Sequence, residues 1–503
     1  MVGYAELWRA DPEAWRAAAA AWRILSAGLG RRGAEVTLVA AGLRGQWSGP
    51  AGSAADRRLA AVSEPCGAAA ADCLATDQVL AEFAVRLSRA KATLAAAVAR
   101  PVHPLVRVDE RGRVTVAAPG GRPDPEAFAA ARRTADGIRA ALDLAGAADE
   151  EAVRRLADLT AAAAAGWPME RPPGSPACGA EPVAVRAWWG ALTDAQRRWL
   201  VVRTPALVGR LDGVPAAARD RANRALLAAA PGPATARLSE RLAADGRPRA
   251  YLLGLDVAGD GRAIVAVGDP DLADHVLSYV PGAGTGLADL PGELGRVDRM
   301  LERAAVLAPD RSVAGVLWLD YDAPDLINDA LRASYAQDGG PALHRFQEGL
   351  RASHDGPAHL TVVAHSYGSL VVGVTARDHG LAADDVVFLG SPGVGVRHAA
   401  ELGLPTDRVW SSTAANDPIQ RLAPSLVQAA REVAFAALVP TAAPWLLARP
   451  DADLWHGHNP SDPSFGGRVF FSDPSDPLHG HSDYWRYGNP ALDTVARIAL
   501  GLA

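Results

Sequence analysis

Over roughly the first 165 residues the apolar positions, mostly alanine, recur at helical spacing. Asp11 followed by Pro12 supplies an N-cap and a first helical position, and predicts a helix to about Gly30, with a second from Gly33 to Leu43. Gly45-Gln46-Trp47-Ser48-Gly49-Pro50 reads as a turn, after which a long helix is expected from Ser53 to Ala99. Val106-Arg107-Val108 and Val114-Thr115-Val116 alternate around Asp109-Glu110-Arg111-Gly112, which predicts a small β-hairpin. Helix signals return from Pro125 to Ala165, and Pro168, Pro172, Pro173, Pro176 and Pro182 then mark a linker over 166–182.

Thr193-Asp194-Ala195-Gln196 is a capping-box pattern, and short helices are expected to about Ala244. From Tyr251 the pattern becomes short apolar runs separated by helix-length segments. The runs are Ala263–Val267, Val276–Val280, Val313–Leu319, Leu360–Ala364, Val386–Leu389, Val409–Ser412 and Val469–Phe471. Runs rich in Val and Leu with helices between them predict a mostly parallel sheet covered on both faces. The expected organisation is a helical domain over 1–165, the linker, a helical connector over 183–245 and an α/β domain over 246–503.

Composition narrows the function. A chain of 503 residues with 49% apolar content is long enough for about three domains, which excludes disorder as the default. Of 51 basic residues one, Lys91, is lysine and the other 50 are arginine, so arginine is the general cation here and arginine counting does not locate a site. A net charge of −6 and the lack of a basic run argue against nucleic acid. Cys66, Cys73 and Cys178 form neither a disulfide framework nor a zinc spacing. Cys66 and Cys73 fit one helix face as small apolar residues. Acidic Glu6, Asp11 and Glu13 near the N-terminus do not match a Sec signal. The apolar run Val433–Ala448, broken by Pro440 and Pro444, is too short for a membrane span.

The sharpest chemical signal is Leu360-Thr361-Val362-Val363-Ala364-His365-Ser366-Tyr367-Gly368-Ser369, a buried strand running into S-x-G and then a helix. A nucleophilic serine on such a strained turn needs small neighbours so that the backbone can fold tightly; Ala364 takes the place of the first Gly of G-x-S-x-G. Ser366 is the expected nucleophile, and the same residue types also suit a helix N-cap. Asp417, in Ala415-Asn416-Asp417-Pro418 after the strand ending at Ser412, is the expected acid, with Asp407 and Asp385 as fallbacks and helix capping as its simpler role. His481 is the expected base, His479 its alternative, and His365 a support for the turn. Pro281-Gly282-Ala283-Gly284-Thr285-Gly286 follows another strand, so backbone N–H groups of Ala283 and Tyr367 are the expected oxyanion donors. Leu287 stands where a dinucleotide loop needs Gly, so no cofactor is expected.

Taken with Trp188-Trp189, Leu211-Asp212-Gly213-Val214-Pro215, Arg219-Asp220, Ala222-Asn223, Gly268-Asp269-Pro270, Val280-Pro281-Gly282, Leu317-Trp318-Leu319-Asp320-Tyr321, Gly390-Ser391-Pro392-Gly393 and His481-Ser482-Asp483-Tyr484-Trp485, these segments resemble an actinobacterial α/β-hydrolase family of unknown function over about 183–500. The resemblance implies an α/β-hydrolase domain with Ser366, Asp417 and His481 as a triad, preceded by an all-helical domain. Trp47 and Gly49 in a turn between two helices resemble the WXG-type hairpin of type VII secretion substrates; the plainer role for Trp47 is filling the gap where the helices meet. That resemblance implies a helical WXG-type partner or self-association, and export by a type VII-like route as the alternative to the cytoplasm. The Y-x-x-x-[DE] export pattern occurs at Tyr321–Asp325, inside the α/β domain. The expected substrate is a small-molecule or lipid ester, with 422–460 as a lid or a packed core segment. The competing readings are an interaction or effector protein on a degenerate hydrolase scaffold, and a metal hydrolase using His456-Gly457-His458 or His479-Gly480-His481-Ser482-Asp483, where Tyr484 replaces the last His of the metal pattern.

Overall fold

The structure, a computed structural model, describes residues 2–47, 49–99, 103–117, 124–177, 179–244, 248–325, 329–421, 453–473 and 480–503. Cys178, His479 and the 422–452 part of the expected lid lie outside the described residues. The chain forms two compact units, one of residues 1–171 with 243–247 and 309–312, the other of 172–242, 248–308 and 313–503.

The first unit is built on α1 (Tyr4–Arg9), α2 (Pro12–Gln46), α3 (Pro50–Ala99) and α4 (Pro125–Ala164), with β1 (Val106–Val108) and β2 (Val114–Val116) between the last two. Asp11 caps α2 by accepting from Glu13 N at 2.9 Å, and Asp124 caps α4 by accepting from Glu126 N at 3.0 Å. The two helices expected between Asp11 and Leu43 are one. Gly28, Gly30 and Gly33 weaken the helix by about 1 kcal/mol each relative to Ala, but tertiary packing overrides this. Ser26 Oγ donates to Ala70 O at 2.7 Å, and a Cβ on Gly33 would stand 3.4 Å from Cys66 Cβ. Trp47 does not fill the gap between helices; it ends α2 with 59% of its surface exposed. Cys73 is buried and Cys66 half-buried on α3, and both are free thiols.

The second unit opens with α5 (Pro182–Ala191), α6 (Asp194–Arg203), α7 (Pro205–Arg210), α8 (Ala216–Ala228) and α9 (Pro233–Ala243). An eight-stranded sheet follows, from β3 (Ala250–Asp256), β4 (Arg262–Val267), β5 (His275–Val280), β6 (Val313–Leu319), β7 (His359–His365), β8 (Asp385–Leu389), β9 (Val409–Ser412) and β12 (Arg468–Val469), in the order β3-β4-β6-β5-β7-β8-β9-β12. The expected parallel sheet is present, with β4 antiparallel to both β3 and β6. A small hairpin, β10 (Asp453–Leu454) with β11 (Gly457–His458), stands apart. All six residues of β5 are buried, as are six of the seven in β7, because α10 (Leu290–Leu307), α11 (Ser334–Ser353), α12 (Gly368–His379) and α13 (Pro490–Ala499) cover the sheet. Burying each large apolar side chain contributes about 1.5–3 kcal/mol. Asp220 on α8 ties helix to sheet, with Arg249 Nη2 at 2.6 Å, Arg224 Nε at 2.8 Å and Leu252 N at 2.8 Å.

Connections leaving the carboxyl ends of β5 and β7 diverge: β5 leads through α10 to β6 on one side, and β7 leads through α12 to β8 on the other. Such a switch point opens a crevice at the carboxyl ends of the strands, where open α/β sheets bind ligands. Among the described residues, no helix is long and apolar enough to cross a membrane.

Candidate active site

Ser366 stands at that crevice, between β7 and α12, with φ 53°. A left-handed conformation is costly for a residue with a Cβ and is kept only where surrounding structure enforces it. Here Ser366 N donates to Leu389 O at 3.0 Å, tying the turn to the neighbouring strand. Gly368 makes the turn sterically feasible, since a Cβ there would lie 2.4 Å from Val280 O and 2.6 Å from Pro281 O. Gly282 does the same from the β5 side: its Cβ would stand 2.7 Å from Ser366 Cβ.

The loop after β5 is braced from below. Tyr321 Oη donates to Pro281 O at 2.8 Å, and the Tyr321 ring stacks on Tyr367 at 6.5 Å between centroids. Gly284 N is committed to Pro324 O at 2.8 Å, and Thr285 Oγ1 donates to Gly282 O at 3.0 Å. Of the two expected oxyanion donors, Ala283 is therefore on this loop next to the glycine that abuts Ser366, and Tyr367 directly follows Ser366. The Tyr367 phenol is turned away, donating to Arg332 O, and burial pushes its pKa up to about 12.

Asp417 and His481 are brought together. His481 Nδ1 lies 2.9 Å from Oδ1 and 3.0 Å from Oδ2 of Asp417; the carboxylate is fully buried and the imidazole 31% exposed. A carboxylate only accepts, so Nδ1 carries the proton of the neutral ring and Nε2 keeps its lone pair. Asp417 also caps its own turn, with Ile419 N donating to Oδ1 at 2.9 Å; the capping role and the histidine contact coexist. Among the described residues Ser366 and His481 are not joined by a hydrogen bond, and in apo sites such contacts are often loose. They are linked through His365, which precedes Ser366. The His365 ring sits 4.7 Å from that of His481 and 4.8 Å from Trp485, and Nε2 contacts His481 O at 2.7 Å. Burial, then the neighbouring His481 and Arg296, hold the His365 imidazole well below its ordinary pKa, so it stays neutral.

The other candidates lie elsewhere. Asp385 is buried with Trp410 Nε1 at 2.8 Å and His359 Nε2 at 3.1 Å, and Asp407 pairs weakly with Arg468 at 3.9 Å. His456 contacts Ala330 O, and His458 contacts Asp453 and Ser464; among the described residues no three His, Cys, Asp or Glu side chains are grouped to hold a metal ion. Tyr321, which starts the export-like pattern, is 1% exposed.

One contact was not anticipated: Tyr484 Oη donates to Asp417 Oδ2 at 2.6 Å. Tyr484 lies in a 3₁₀ turn over Asp483–Trp485, three residues after His481, and no pattern in the sequence marks it as a partner of Asp417.

A family profile described as Alpha/beta hydrolase matches residues 256–428. Over 384 residues the chain is 30% identical to an uncharacterized protein of Mycobacterium tuberculosis, an alignment covering 66% of this chain and 57% of that protein. The chain thus spans little more than half the length of that relative. Over 199 residues it is 34% identical to an uncharacterized protein of Mycobacterium bovis, covering 37% of this chain and 73% of the relative. With its mostly parallel eight-stranded sheet and preceding helical region, the chain belongs to the α/β-hydrolase family.

Proposed function

We propose that the protein is a serine hydrolase that cleaves a carboxylic ester through an acyl-enzyme, with Ser366 as nucleophile, His481 as base and Asp417 as its orienting acid. The observation that carries this reading is the Asp417–His481 pair: a buried carboxylate held on Nδ1 by both oxygens, beside a crevice where a strained serine sits.

In this mechanism His481 Nε2 takes the Ser366 Oγ proton as the oxygen attacks the acyl carbon. Asp417 fixes the tautomer and stabilises the imidazolium that forms. The developing oxyanion is met by the backbone N–H groups of Tyr367, directly after Ser366, and Ala283, on the loop after β5. His481 returns the proton to the leaving alkoxide, and water then repeats the sequence to free the carboxylic acid and restore Ser366. Neither a metal nor a cofactor enters any of these steps.

The test is hydrolysis of short-chain acyl esters by parent and Ser366→Ala proteins. The expected loss in kcat is on the order of 10⁴ or more. A Ser366→Ala protein that retains parent activity removes the reading.

A further inference from the structure

Asp417 has more to do than a triad acid needs, because its Oδ1 already accepts from Ile419 N. A carboxylate captured by its own turn would swing toward that turn, yet here both oxygens remain within 3.0 Å of His481 Nδ1. The group that opposes the turn is Tyr484. Its hydroxyl accepts from Ala414 N at 3.1 Å, which leaves the O–H proton directed at Asp417 Oδ2, 2.6 Å away. The ring is 1% exposed and packed against His365, 6.1 Å between centroids, and Trp485, 5.9 Å. Ala414 and Asp417 are themselves joined, Asp417 N donating to Ala414 O at 2.9 Å, so the phenol bridges both ends of one turn.

The space around this contact is cut to size. Gly390, at the end of β8 with φ 54°, faces all three groups: a Cβ there would stand 2.8 Å from Asp417 Oδ2, 3.2 Å from His481 Nδ1 and 3.2 Å from Tyr484 Oη. Gly390 thus takes a backbone conformation that glycine adopts freely, and its lack of a side chain lets carboxylate, imidazole and phenol converge there. The titratable groups around the phenol are Asp417, on the loop after β9, His481, three residues before Tyr484, and His365, on β7; Trp485, on the same turn, is uncharged.

We infer that Tyr484 is a positioning residue that holds the Asp417 carboxylate square to His481 and sets how strongly it charges the imidazole. This rests on the triad reading above. A hydrogen bond from the phenol draws charge toward Oδ2. Removing it leaves the carboxylate a stronger partner for the imidazolium, which favours the protonated base, while the carboxylate loses its fixed orientation.

The experiment compares kcat, KM and the acid limb of kcat/KM against pH for the parent, Tyr484→Phe and a protein carrying a ring-fluorinated tyrosine at 484, using a short-chain ester. Tyr484→Phe is expected to lower kcat by about 10- to 100-fold with KM nearly unchanged, and to move the acid limb to higher pH. The fluorinated phenol keeps the shape and donates more strongly, so its limb moves to lower pH. Limbs that coincide in all three proteins overturn the inference, whatever happens to kcat. Should Tyr484→Phe fail to fold, the fluorinated protein alone decides. A Ser366→Ala control separates the two claims: if it stays active the triad reading fails, whereas if it is inactive and the limbs coincide, the positioning role alone fails.

Discussion

Gly282 and Ser366 come from two different strand ends and meet so closely that a methyl on residue 282 would lie 2.7 Å from Ser366 Cβ and 3.2 Å from its Oγ. The approach places the loop bearing Ala283 over the serine. Gly282→Ala should push that loop away and misplace one oxyanion donor, lowering kcat by about 10²- to 10³-fold. Melting temperature and kcat measured together check this: a parent-like kcat in a folded Gly282→Ala protein removes the loop from the site.

Asp417→Asn keeps the shape of the side chain but offers His481 Nδ1 a different partner, so the imidazole is no longer held in the tautomer that leaves Nε2 free. A loss of about 10⁴ in kcat is expected, measured on the same short-chain ester. Asp385→Asn should instead leave kcat near the parent and lower stability, since Asp385 holds Trp410 Nε1 and His359 rather than any site residue.

Stability has its own acidic switch at Asp220. Burial would raise its pKa, but Arg224 and Arg249 and the Leu252 N–H outweigh burial and hold the carboxyl at about 2. A carboxyl depressed in the folded state contributes stability that is present above its unfolded pKa of about 3.9 and fades as pH falls toward 2. Asp220→Asn removes the negative charge that faces the buried Arg249 and the half-buried Arg224 and should cost about 3–5 kcal/mol near neutral pH. Denaturant unfolding at several pH values should show the gap between parent and Asp220→Asn narrowing below about pH 3.9. A gap that does not change with pH contradicts the charge argument.

Much of the second unit is legible because burial on both faces of a parallel strand writes a continuous apolar run: Val313–Leu319 and Val409–Ser412 match β6 and β9 residue for residue. The edge strand β3 is less plain: its apolar run Ala250–Leu253 is cut short by Gly254 and Asp256, and its pairing with β4 shifts register between Leu252 and Gly254. Helix α2 reads as two helices in the sequence because local glycine cost is visible there while packing against α3 is not. Asp417 and His481 stand out by their order along the chain, and the fold brings them to 2.9 Å of one another. Tyr484 does not stand out, because its partner is 67 residues away and only the fold brings them together. Trp47 reads as gap-filling from residue type alone, yet its place at the end of α2 leaves it exposed.

Catalysis by the proposed triad requires Ser366 to be an activated nucleophile, and the most direct measurement is covalent labelling by a fluorophosphonate probe with the adduct mapped by peptide mass. The parent protein should carry one adduct on Ser366, and Ser366→Ala should carry none. An adduct on another residue, or labelling that persists in Ser366→Ala, would contradict that role.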